Sequence, residues 1–140
     1  MIKEFQGEYR WLSNFAPVSI KGAQYVYPSV EHAYMSAKCD DIRWKELCAY
    51  GGLTAGQIKQ QSRKVALRAD WPVYKLKVMQ HALELKYAQE PYLSLLKATG
   101  DALIQEGNYW NDKFWGVCLK TNQGENTLGK MIMAIRASYK

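Results

Sequence analysis

Within YPSVEHAYMSAK (27–38), a carboxylate and an amine, Glu31 and Lys38, stand seven residues apart. Ser29 is a good N-cap and Pro28 lies just outside it, so a helix is expected to start here. In that helix Glu31, Tyr34, Met35 and Lys38 fall at i, i+3, i+4 and i+7 and share one face, while Val30, Ala33 and Ala37 form a small apolar face. Glu31 is then in the first turn, where the positive end of the helix dipole favours an ionised carboxylate. Such a group suits a base, a nucleophile or a stabiliser of developing positive charge better than an acid that must keep its proton. It also repels phosphate from this helix start. The position fits, too, a solvent-exposed glutamate that only improves the helix. Lys38 stands roughly 10 Å further along the axis. It can bind an anion, serve as an amine nucleophile if burial lowers its pKa, or simply face the negative end of the dipole. His32 has no Cys, His or carboxylate at metal-ligand spacing around it and reads as a structural histidine.

Two aromatic stretches carry a second kind of chemistry. In NYWNDKFWG (108–116), Tyr109, Trp110, Phe114 and Trp115 alternate with Asn108, Asn111 and Asp112. Aromatics interleaved with amides can sandwich a base and read its edge, or can plug a core. WLSNFAP (11–17) places Ser13 and Asn14 between Trp11 and Phe15 and leads into Pro17, a structural turn unless it closes a pocket over the Glu31 helix.

Charge adds a third element. The 59–77 window holds six basic residues, Arg68 among them, against one acid, Asp70, so it carries +5 of the chain's net +6. A concentrated basic zone suits phosphate contact, on nucleic acid or on a small ligand, and equally a solvated helix face. P-loop, GxGxxG, GxSxG and HExxH patterns are all absent, which removes the common enzyme classes.

The elements that must position these residues are mostly helical. At 140 residues and 48% hydrophobic, the chain suits one domain, 1–140, without staples. Its odd number of cysteines, with no CxxC pair, reads as reduced thiols. No uncharged run exceeds the twelve residues 47–58, and MIKEFQGEYRW lacks a signal-peptide h-region, so a cytoplasmic protein with no membrane contact is expected. The first thirty residues read as extended, with a hairpin around Lys21-Gly22. Helices are expected at 29–39, 40–50, 54–67, from an Asp70 cap for about seventeen residues, at 90–99 and from Asn126 or Thr127. Short strands are expected at 102–105 and 115–119. The fold class is mainly α with a small antiparallel β element; α+β is the alternative.

Taken in order, WLSNFAP (11–17), YPSVEHAYMSAK (27–38), RKVALRADW (63–71), VMQHALELKY (78–87), LKATGDALIQEGNYWNDKFWG (96–116) and GENTLGKMIMAIR (124–136) resemble the NADAR, or YbiA-like, family along almost the whole chain. The chain departs from the family pattern where a glycine usually precedes an arginine: here Ser62 precedes Arg63. The resemblance implies one compact YbiA-like domain and N-glycosidase chemistry, the hydrolysis of a bond between ribose C1 and nitrogen. It implies as substrate either ADP-ribosylated guanine in nucleic acid, for relatives that counter a DNA-modifying toxin, or phosphorylated ribosylamino-pyrimidine intermediates of riboflavin synthesis. A non-catalytic ADP-ribose or nucleic-acid binder is the remaining alternative.

The family's catalytic glutamate falls on Glu31, and its E-H-x-[YF]-x-x-x-K pattern on Glu31, His32, Tyr34 and Lys38. The SNF element falls on Ser13, Asn14 and Phe15, and the tryptophan after the basic stretch on Trp71. Trp110, Asp112, Gly124 and Asn126 match the C-terminal W-x-D and G-x-N elements. Breaking an N-glycosidic bond builds positive charge on the ribose, which an ionised Glu31 would stabilise while orienting water. An opened ribose forming a Schiff base with Lys38 is the alternative route, and the chemistry that the resemblance implies needs no metal or redox cofactor. Phe15, Trp71 and Trp110 are then the stacking candidates, and Asn14, Asp112 and Asn126 the hydrogen-bonding ones.

Overall fold

A computed structural model describes residues 1–140. It is mainly helical, with one small antiparallel sheet, as the sequence predicts, and one very short parallel strand pair. The chain divides into two compact units, Asn14–Ala88 and Met1–Ser13 with Gln89–Lys140. No helix is long and apolar enough to cross a membrane.

The Asn14–Ala88 unit begins with a hairpin of β1 (Pro17–Lys21) and β2 (Val26–Ser29), with Ile20 opposite Tyr27 and Lys21 opposite Val26. Ile20 and Tyr27 point inward while their neighbours face water, the alternation a half-buried strand requires. β2 runs straight into α1 (Val30–Ser36), which starts where it does because the Ser29 hydroxyl accepts from the His32 N–H at 3.1 Å. Asp41 caps α2 (Ile42–Tyr50) through the Arg43 N–H at 2.9 Å. Thr54 and Gln57 form a capping box at the start of α3 (Ala55–Gln61), an arrangement worth about 1 kcal/mol. α4 (Trp71–Tyr87) is 17 residues long and carries Pro72 in its first turn, where the missing N–H costs nothing. Met79, Ala82, Leu83, Lys86 and Tyr87 form its buried stripe. α1 packs against β2, α2, α3 and α4, so every residue from Val30 to Ser36 is buried.

In the other unit, the N–H of Ile2 donates to Leu103 O at 2.8 Å and its carbonyl accepts from Gln105 N–H at 2.9 Å, which pins the N-terminus beside Ile104. α5 (Tyr92–Ala98) precedes a parallel pair of two-residue strands, β3 (Gly107–Asn108) and β4 (Val117–Cys118). α6 (Thr127–Ser138) buries Leu128, Ile132 and Ile135 along one face, while Met131 and the following Tyr139 stay half-exposed. Gly116 is required by its surroundings, since a Cβ there would run into Glu106 and the Asn108 side chain.

Several expectations give way. Residues Gly7–Leu12 form a 3-10 helix, not an extended segment; Gly7, at a φ of 58°, turns the chain out of the β region just before it. The third helix ends at Gln61 instead of 67. Ser62 stops it with its hydroxyl on Lys59 O at 2.7 Å, and Ser62–Lys64 tighten into a 3-10 turn. Asp70 precedes α4 but does not cap it, because its carboxylate is held by Arg68 at 2.6 and 3.1 Å. The expected strand at 102–105 is a single bridge at Ile104, with paired residues at 107–108 and 117–118.

Candidate active site

Glu31 is 6% exposed, so a glutamate that merely decorates a helix start is ruled out. Burying a carboxylate costs several kcal/mol unless nearby charges and hydrogen bonds offset the lost hydration, which makes the surroundings of Glu31 the centre of interest. Its backbone N–H donates to Asn14 O at 3.0 Å, locking the start of α1 to the Asn14 loop. The Asn14 side chain turns to α4: Nδ2 reaches Met79 Sδ at 3.6 Å, while the buried Oδ1 accepts no hydrogen bond from the protein. Buried acceptors are normally satisfied, so Oδ1 is an open acceptor in the same loop that meets Glu31.

Lys38 follows α1 in a turn, with its N–H on Met35 O at 3.2 Å and its carbonyl accepting from Arg68 N–H at 2.9 Å. It is half-buried, and burial holds its ammonium below the ordinary lysine range. The Glu31 carboxylate pulls in the opposite direction, and Lys59 and Arg63 add to the depression. Glu31 and Lys38 are therefore electrostatically coupled, although the helix expected to reach 39 ends at Ser36 and Lys38 lies in the turn after it. Lys38 Nζ donates to Ser62 Oγ at 3.4 Å. Ser62 itself is buried with an ordinary helical backbone, so the departure from glycine places a hydroxyl against the amine without backbone strain.

His32, adjacent to Glu31, has both ring nitrogens occupied. Nδ1 meets Ser29 Oγ at 2.6 Å and Nε2 meets Leu53 O at 2.8 Å. A carbonyl can only accept, so Nε2 carries the donated proton and the ring is a strut between β2 and the chain ahead of α3. No three His, Cys, Asp or Glu side chains gather in a metal-holding arrangement.

An aromatic column extends from α1 into α4. Tyr34 lies 5.1 Å from Trp71, which lies 6.5 Å from Tyr74, and the Arg68 guanidinium sits 3.7 Å over the Tyr74 ring. Tyr34 and Trp71 are both buried. Arg68 is also bound to Asp70 and, at 3.5 Å, to Asp40, and these carboxylates raise its pKa further. Asp40 lies outside the basic window, so composition of the window alone overstates the charge Arg68 offers to a phosphate. Phe15 presents its ring at 41% exposure.

Ser13, Trp110, Asp112 and Asn126 belong to the other unit. Trp110 is 60% exposed. Asp112 Oδ1 accepts from the N–H groups of Phe114 and Trp115 at 3.1 and 3.0 Å, shaping the loop. Asn126, at a φ of 55°, uses Oδ1 to accept from Glu106 N–H and Nδ2 to donate to Ile104 O, both at 2.9 Å. Its amide is an internal clamp ahead of α6. Ser13 ends the 3-10 helix, its N–H on Arg10 O at 3.0 Å.

Residues 2–140 match the NADAR domain. The chain belongs to the NADAR family. A riboflavin biosynthesis protein of Vibrio vulnificus (strain YJ016) is 33% identical over 90% of this chain, which covers 34% of that protein. The chloroplastic riboflavin biosynthesis protein PYRR of Zea mays is 29% identical, with 22% of it covered. This chain thus spans about a third or less of those two relatives. N-glycosidase YbiA of Escherichia coli (strain K12) is 31% identical over 92% of this chain and 81% of the relative. The NMR structure of E. coli YbiA superposes with a TM-score of 0.83 at 28% identity, covering 99% of this chain and 86% of that one. The NADAR match runs through both units and includes every candidate residue named above. Sequence reading missed the partners of the two leading candidates, namely the Ser62 hydroxyl on Lys38 and the carbonyl of Asn14 on the Glu31 N–H. The glycine-to-serine departure was the one signal pointing toward the first.

Proposed function

We propose that this chain is an N-glycosidase that hydrolyses a ribose C1–N bond, and that its substrate is ADP-ribosylated guanine in nucleic acid. The observation that carries the reading is a buried carboxylate, Glu31, coupled to a half-buried lysine, Lys38, whose own pKa is depressed. As the C1–N bond lengthens, the ribose gains positive charge, and a carboxylate beside C1 in a water-poor site stabilises it far more than solvent would. Glu31 then orients the attacking water and takes its proton. Lys38 holds the ribose hydroxyls or a phosphate, or as a free amine captures the opened sugar. Asn14 Oδ1, buried and open, is the acceptor for a ribose hydroxyl or a base N–H. Phe15, whose ring is exposed, and Trp71, packed against Tyr34 and Tyr74, are the stacking candidates of this unit. The basic zone favours a polymeric substrate, with Arg63 and Lys64 exposed and Arg68 largely neutralised.

The second reading is an N-glycosidase of phosphorylated ribosylamino-pyrimidines, and the names of the Vibrio and maize relatives favour it. The deciding experiment assays both substrates side by side with the purified chain. Release of ADP-ribose from modified guanine, with little turnover of the pyrimidine, supports the first reading; the reverse supports the second. Turnover of neither overturns both and leaves a binding module.

A further inference from the structure

α1 has a second functional face. Opposite Glu31 and Lys38, Ala33, Ser36 and Ala37 form part of the wall of a cavity of about 430 Å³ that lies wholly within the Asn14–Ala88 unit. Neither Glu31 nor Lys38 lines it, and neither Asn14 nor Trp71 does. Its volume falls in the range of sites for small organic molecules, roughly 300–1,000 Å³, and is too small for a helix or a nucleic-acid strand. The wall contains Lys21, Lys45, Lys77 and His81 but no aspartate or glutamate. Lys45 is fixed in place, with Nζ donating to Ser36 O at 3.0 Å, which leaves two of its three protons for a ligand. Lys21 and Lys77 are exposed at the rim. Apart from Gln24 and Ser36, the rest of the lining is apolar or aromatic and includes Tyr27 and Tyr74.

The geometry points to an accessory binding site for a flat aromatic anion, with its ring against the tyrosines and its phosphate or carboxylate among the three lysines. Uncompensated cations on a largely apolar wall reward a ligand that has both parts, and neither part alone gains the full interaction. The site is independent of the hydrolase reading and needs no turnover to be detected.

The test is a titration of the full chain with 1-naphthyl phosphate, followed by amide NMR. Saturable binding is expected, with the largest shifts at Ala33, Ser36, Ala37, Lys77 and His81. 1-Naphthoate should also bind, its affinity relative to the phosphate ester separating a carboxylate preference from a phosphate one. Inorganic phosphate and 1-naphthol should each bind at least about tenfold more weakly. Lys77→Glu, at an exposed position, should weaken binding about tenfold with the rest of the spectrum unchanged, whereas Lys130→Glu should have no effect. Naphthol or phosphate binding as tightly as the ester would overturn the proposal. So would shifts centred on Glu31 and Lys38, or a Lys77→Glu variant with wild-type affinity.

Discussion

The amine of Lys38 donates to the hydroxyl of Ser62 across 24 residues of sequence, at 3.4 Å. The same hydroxyl donates to Lys59 O, so its lone pair is turned toward the amine. This bond is made to the protonated lysine and stabilises it. Ser62→Ala should therefore lower the Lys38 pKa beyond its present depression, because the charged form loses an acceptor while burial still opposes it. The check is the Lys38 titration followed by NMR after reductive methylation with labelled formaldehyde. An upward shift, or none, would remove Ser62 from the site. The accompanying stability loss should be about 1 kcal/mol.

Neutralising the flanking cations should act in the opposite direction. Lys59 and Arg63 both depress Lys38, so a Lys59→Met/Arg63→Met double variant should raise its pKa. If the free amine takes part in catalysis, the acid limb of kcat/KM moves to higher pH with it. A profile that stays in place while the amine titration moves assigns Lys38 to binding only.

Glu31→Gln keeps shape and removes charge. Turnover of the cleaved substrate should fall by at least about 100-fold with the amide spectrum preserved, and activity within about tenfold of wild type would sink the assigned role. The same variant has a readout that needs no substrate. Glu31 is what raises the Lys38 pKa, so its loss should lower it.

Lys86 makes a prediction about stability. It is 0% exposed on the buried stripe of α4, and burial lowers its pKa from 10.5 to about 7. Below pH 7 both folded and unfolded chains hold the proton, and the cost of burying the charge is felt in full. Between about 7 and 10.5 the unfolded chain holds one proton more, so stability rises with pH, by up to about 1.4 kcal/mol per unit. The rise is best read from pH 7 to 9. Above that Cys48, whose thiol burial pushes from 9.0 to about 12, ionises in the unfolded chain first and begins to oppose it. Urea midpoints for wild type should climb across the window, and those for Lys86→Met should stay flat.

The local signals in the sequence translate well into structure. Ser29 and Pro28 announce the start of α1, and Pro72 with its following spacing announces α4, because caps and proline act through their own backbone. What stays hidden depends on remote chain. Helical spacing assigns Glu31 and Lys38 to one face but says nothing of α2, α3, α4 and the hairpin closing around it, so the burial of Glu31 emerges only in three dimensions. Asp70 looks like a cap by position, yet Arg68 two residues earlier competes for the same carboxylate and wins. Asp40 joins that ion pair from another loop, which no count within the basic window can reveal. Asn126 reads as a polar group available to a ligand, although its amide is consumed by two backbone bonds.

α1 spans only Val30–Ser36 and has no face toward water. A two-turn helix so enclosed cannot roll or slide without disrupting its packing against β2, α2, α3 and α4. Its residues are accordingly poor raw material for change, and a new substrate preference is most easily acquired at the periphery of the same unit, through Phe15 or the loop bearing Arg63 and Lys64. The enclosed helix is then a fixed axle, and the rim around it within the Asn14–Ala88 unit is the part free to vary.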